Sequence, residues 1–98
     1  MALLQRFGNG LQLARKKRGL TQEDFSTISS RNYLSSLERG IKAPTITKVE
    51  QIASVIGIHP LTLLALAYLP AEPQEREALY VKICKELSSL KVEVETQE

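Results

Sequence analysis

Arg31, Asn32, Ser35 and Ser36 are polar residues that one short helix can present together, with Leu34 and Leu37 left for its opposite side. A guanidinium can donate two parallel hydrogen bonds to guanine, and an asparagine amide can pair bidentately with adenine. Each such pair discriminates against the wrong base by about 1–3 kcal/mol. Serine hydroxyls donate and accept without choosing, so Arg31 and Asn32 are expected to dominate any selectivity. The chemistry on offer is the reading of base edges in a major groove. Ahead of these residues, Gln22 is placed to open another short helix, from which a side-chain amide and free backbone N–H groups can clasp a phosphate.

Such residues need two short helices and a tight turn to position them, and the chain supplies the signals. Phe7, Leu11 and Ala14 recur at helical spacing, predicting a first helix from about Leu3 to Lys17. Gly8 and Gly10 are expected to weaken its start by about 1 kcal/mol each relative to alanine. Gly19 is placed to end it, with Lys16, Lys17 and Arg18 in its last turn; this basic run could touch phosphate or simply be a solvated helix end. Thr21 is an N-cap with Asp24 three residues on, opening a second helix from Gln22 to about Thr27. Ser29 and Ser30 offer the next cap, for a third helix through Arg39 that Gly40 stops. Thr45 caps a fourth, from Ile46 to about Ile56, which buries Val49, Ile52, Ala53 and Ile56. Pro60 suits the first turn of a fifth, running to about Leu69. Pro70 and Pro73 bracket a linker, and a sixth pattern from Gln74 to about Leu90 carries Leu79, Ile83, Leu87 and Leu90. No stretch of strict alternation predicts a strand. The expected class is all-α.

Bulk properties narrow the functional classes. Ninety-eight residues make one small domain with a single core. Residues 1–60 hold nine Lys or Arg against four acids, a balance of +5, whereas residues 61–98 hold four against seven, a balance of −3. A polyanion would therefore meet one side of the molecule, although uneven charge alone does not require one. No apolar run approaches the roughly 20 residues that span a bilayer, so no membrane association is expected. The amino end lacks the pattern of a signal peptide, and the lone Cys84 has no intrachain disulfide partner; both fit a cytoplasmic protein. Cys84 is expected to be a buried thiol of the sixth helix. His59 has no Cys or His neighbour with ligand spacing, so it is read as a helix cap or surface residue, not a metal ligand. No paired-carboxylate cleft, Ser-His-Asp set or phosphate-binding glycine loop is visible. Neither catalysis, nor a cofactor, nor a metal, nor a small-molecule ligand is expected.

The ordered residues Phe7-Gly8, Leu11, Arg15, Gly19-Leu20-Thr21-Gln22-Glu23, Leu37-Glu38-Arg39-Gly40, Pro44, Ile52-Ala53 and Gly57-Ile58 carry a further signal. Over about three-fifths of the chain, this set resembles the phage-repressor-like helix-turn-helix family, the Cro and lambda-repressor type also called XRE. The resemblance implies a five-helix DNA-binding domain over residues 1–69. Residues 70–98 would then be a linker and an amphipathic carboxy-terminal helix. It further implies an operator in double-stranded DNA, a homodimer, and a role in transcription, as a repressor or an autoregulatory controller. Carried over by position, Gln22 would contact a phosphate, and Arg31 and Asn32 would face bases with Ser35 and Ser36 beyond them. Arg39, Lys42, Thr45, Thr47 and Lys48 would contact the backbone. Arg15 and Glu38 would form an internal ion pair. The turn Thr27-Ile28-Ser29-Ser30 is about two residues shorter than is usual in the family and lacks glycine. Ser30 therefore joins the expected phosphate contacts and Tyr33 the base contacts, Tyr33 being read as an edge residue in preference to core.

The tail helix admits two uses. Its stripe Leu79, Tyr80, Ile83, Leu87 and Leu90 would pair with its twin, or pack on Leu63, Leu66 and Tyr68 of another copy, to build a two-fold dimer. Alternatively the chain is an antitoxin-like interaction module whose acidic tail helix binds a partner protein. A tail folded back on its own core is the plainest use of the same residues.

Overall fold

The computed structural model describes residues 2–95, with side chains to residue 90. Five α-helices and one 3-10 turn follow in order: α1 (Leu3–Lys17), the 3-10 turn (Gln22–Phe25), α2 (Arg31–Glu38), α3 (Ile46–Ile56), α4 (Pro60–Tyr68) and α5 (Pro73–Glu95). No strand occurs among the described residues, as an all-α chain requires. The chain divides into two units, Met1–Tyr68 and Leu69–Glu98. The expected second segment ran to residue 98, and its residues 96–98 lie outside those described.

Local chemistry accounts for the element boundaries. Asp24 reaches back to the Thr21 N–H at 2.7 Å and to its hydroxyl at 3.1 Å. The Ser30 hydroxyl accepts from the Tyr33 N–H, and that of Thr45 from the Lys48 N–H, each at 3.1 Å, so both helices begin on side-chain caps. His59 Nδ1 accepts from the Leu61 N–H at 3.0 Å, giving α4 its cap. The segment expected to be a second helix through Thr27 is instead the single 3-10 turn. After it, the Phe25 carbonyl accepts from both Ile28 and Ser29, at 3.0 and 3.1 Å. Successive tight turns of this kind cover the distance in fewer residues. The short connection is thus made with no positive-φ residue other than glycine among those described.

The core of the first unit forms where α1 packs against α2 and α4, with α3 closing on α4. Phe25, Leu11, Leu34, Leu37, Ile52 and Leu63 are its largest fully enclosed side chains. Gly8 and Gly10 permit this packing and are not simply weak points of α1. A β-carbon at Gly8 would stand 2.4 Å from the Leu37 carbonyl oxygen and 2.5 Å from that of Glu38, and one at Gly10 would stand 2.7 Å from Leu66 Cβ. Gly40 ends α2 at φ +74°, a conformation that costs a side-chain-bearing residue energy, and it lies against Gln5. Leu63, expected to be available to another copy, is enclosed in its own core, whereas Leu66 and Tyr68 are exposed.

The second unit is one helix, 23 residues long. It carries the Lys82–Glu86 ion pair at 3.2 Å, and at its start Arg76 Nη2 donates to the Ala71 carbonyl at 3.0 Å. Cys84 is exposed, correcting the expectation of a buried thiol: a single helix has no interior. Tyr80, Ile83, Leu87 and Leu90 are also exposed, and Leu79 is half-buried. No single helix among the described residues is long and apolar enough to cross a membrane.

Candidate nucleic-acid interface

Helix α2 is anchored at both ends. Its start is tied by the Ser30 cap, and its last residue, Glu38, is buried against α1. Arg15 Nε donates to Glu38 Oε2 at 2.6 Å and Arg15 Nη2 to Oε1 at 3.0 Å, a two-pronged ion pair. Arg15 Nη1 also donates to the Leu20 carbonyl at 3.0 Å, so the guanidinium links the end of α1 to the end of α2. The hydrogen bond to Glu38, with its charge, holds the Arg15 pKa above its ordinary value against the opposing effect of burial. Loss of the Arg15 charge would begin only above that range, so the pair stays ionised on the arginine side across neutral pH.

Between these anchors the helix has an inner and an outer side. Leu34 and Leu37 are buried, while Arg31 and Asn32 are exposed at the amino-terminal end and Ser35 and Ser36 are half-buried. The Ser30 cap sets Arg31 as the first residue of α2 after the short turn. Arg31 Nη1 lies 3.8 Å from Glu23 Oε1, and both side chains remain about three-quarters exposed. Such a solvated pair is worth about 0–1 kcal/mol, so the guanidinium is readily given up to another acceptor.

Tyr33, expected at the edge, stands where core and surface meet. It is half-buried and packs against the core, while its ring lies 5.8 Å from Lys42 Nζ and 5.9 Å from Lys48 Nζ. Those distances suit cation–π attraction, and they gather two positive charges over one ring. Lys48 Nζ also donates to the Ile28 carbonyl, tying α3 to the turn before α2. Arg39, Lys42, Thr45 and Thr47 are exposed. Among the basic run at the end of α1, Arg18 donates to the Ile56 carbonyl at 3.3 Å, where the last carbonyls of α3 favour a cation. Lys16 and Lys17 are exposed.

Gln22, expected on a phosphate, is half-buried and donates through Nε2 to Glu38 Oε1 at 3.1 Å. Gln12 Nε2 reaches the same oxygen at 3.4 Å. Gln12 did not stand out in the sequence, although it lies one helical turn before Arg15 and so on the same side of α1. Glu23 was also missed as the neighbour of Arg31. The structure therefore gathers Gln12, Arg15, Gln22 and Glu38 into one cluster and Tyr33, Lys42 and Lys48 into another, with Arg31 and Asn32 left open. Among the described residues no group of His, Cys, Asp and Glu is arranged to hold a metal ion.

A family model described as helix-turn-helix matches residues 11–63. The chain is also 37% identical over 59 residues to a Sinorhizobium fredii protein named as an uncharacterized HTH-type transcriptional regulator, y4dJ. That similarity covers 58% of this chain and 77% of the relative. No solved structure matches the chain.

Proposed function

We propose, for a chain that belongs to the helix-turn-helix family, of the phage-repressor-like type, that it is a sequence-specific DNA-binding regulator of transcription. In this reading it is a repressor or autoregulatory controller, not an enzyme, and it binds a palindromic operator as a homodimer. The observation that carries the reading is the exposure of Arg31 and Asn32 at the start of a helix fixed by Ser30 and Glu38. Donors with bidentate geometry are thereby held out to solvent on a rigid support, as base reading requires. Ser35 and Ser36 extend this surface toward adjoining bases. Around it, Arg39, Lys42 and Lys48 supply cations and Ser30, Thr45 and Thr47 supply hydroxyls for the phosphate backbone. These would set affinity and salt dependence without choosing sequence.

Apolar surface supports the homodimer. The first unit has a groove of about 490 Å³ whose lining includes Leu3, Phe7, Pro44, Ile46, Leu61 and Tyr68. Ile46, Leu61 and Tyr68 there are well exposed. The second unit adds the stripe Tyr80, Ile83, Leu87 and Leu90. Two copies related by a two-fold axis would place their α2 helices about 34 Å apart, one turn of duplex. The same stripe favours a second reading, an antitoxin-like module whose α5 binds another protein.

Selection of bound sequences from a random duplex pool, with Arg31→Ala alongside, tests the proposal. A palindromic consensus that Arg31→Ala relaxes at one base position per half-site is expected. No consensus, or one that Arg31→Ala leaves untouched, would refute base reading by α2. Removal of residues 74–98, followed by light scattering, separates the uses of α5: retained operator binding with loss of a protein partner would favour the interaction module.

A further inference from the structure

Glu38 does more than hold Arg15. Its Oε1 also accepts from the side-chain amides of Gln12 on α1, at 3.4 Å, and Gln22 in the 3-10 turn, at 3.1 Å. An ionised carboxylate only accepts, so each amide must turn its nitrogen toward it and its oxygen away. An amide nitrogen carries two hydrogens, and one of each pair is committed to Glu38. The second has no partner among the described residues. Gln12 is exposed and Gln22 half-buried, so these donors are not sealed inside the core. Two nitrogens gathered on one oxygen are close enough to bridge a single phosphate group. A bare carboxylate beside them would repel an anion, but Arg15, at 2.6 and 3.0 Å, offsets its charge.

We infer that Gln12 and Gln22 form a paired amide grip on one DNA backbone phosphate, with Glu38 as the positioning residue that orients both nitrogens. The inference rests on the reading that the α2 side of the molecule meets duplex DNA. It adds to that reading a residue, Gln12, and a reason for the orientation of Gln22. Uncharged donors release no counterions, so the grip fixes where a phosphate sits without steepening the salt dependence.

The test uses the full chain and its selected operator, synthesised with one uncharged methylphosphonate linkage that is moved along the backbone a position at a time. Gln12→Met and Gln22→Met keep side-chain length and remove the donor. Each is expected to bind the unmodified operator roughly 3- to 10-fold more weakly, with the salt slope and sequence preference of the wild type. At one linkage in each half-site, the variants and the wild type should converge, because the group they contact is gone. Because Gln12 is exposed, Gln12→Met should keep the wild-type unfolding midpoint, which separates lost contact from lost fold. A Gln12→Met protein matching the wild type at every linkage would overturn this inference while leaving the regulator reading in place. A wild-type chain that selects no duplex sequence would overturn the regulator reading itself, and the grip with it.

Discussion

Helices α3 and α5 are both built on apolar residues spaced three and four apart, yet they meet different fates. In α3, Val49, Ile52, Ala53 and Ile56 are buried, whereas in α5, Ile83, Leu87 and Leu90 are exposed. Periodicity defines a face but does not supply a partner for it. Within the first unit every helix has a neighbour, and apolar residues enclosed there stabilise the fold by about 1.5–3 kcal/mol each. The second unit holds one helix and supplies no neighbour of its own for the stripe, which stabilises nothing in this way while it is exposed.

That contrast can be broken or sharpened by substitution. The largest effect is expected from Glu38→Ala, which leaves the Arg15 guanidinium buried without its carboxylate. Loss of about 3–5 kcal/mol in urea unfolding is anticipated, and a loss below 1 kcal/mol would mean that water reaches the pair. Leu63→Ala should follow, at about 2–5 kcal/mol by the same measurement, because the site is enclosed and a cavity remains. Gly8→Ala is expected to cost about 1–3 kcal/mol by forcing α1 away from the end of α2. A stabilising Gly8→Ala would instead show that helix propensity outweighs the close approach. Arg31→Ala should leave the unfolding midpoint within about 0.5 kcal/mol of the wild type while removing about 1–3 kcal/mol of base discrimination in competition binding. Smallest of all, Leu87→Lys should shift the stability of the isolated chain by no more than about 0.5 kcal/mol. If α5 serves a dimer, the same change should lower the mass seen by light scattering; a large loss of stability in a dilute monomer would show that the stripe is covered within one chain.

Much of the scaffold was legible in the sequence because its signals are local. Thr45, Ser30 and the Thr21–Asp24 pair mark helix starts through bonds spanning three residues, and Leu34, Leu37, Ile52 and Ala53 announce their burial by spacing. What escaped depends on residues far apart in the chain. Gly8 read as a weak helical position because nothing nearby reveals the carbonyls of Leu37 and Glu38 crossing over it. The bond from Gln22 to Glu38 went unseen because its acceptor lies 16 residues away. Tyr33 read as an edge residue from its polar neighbours, and none of them revealed the lysines over its ring, which come from beyond the end of α2. Cys84 and Leu63 failed in opposite directions for one reason: apolar spacing does not tell which helix will find company.

The two-ended anchoring of α2 has a consequence for how such a protein changes over time. A serine hydroxyl on a backbone N–H and a carboxylate on an arginine are both indifferent to what stands at positions 31 and 32. Other polar side chains could be exchanged there at little cost to folding. On the proposed reading of bases by Arg31 and Asn32, a lineage carrying this frame could therefore acquire a new target sequence through a pair of codons, with no need to reinvent the machinery that presents them.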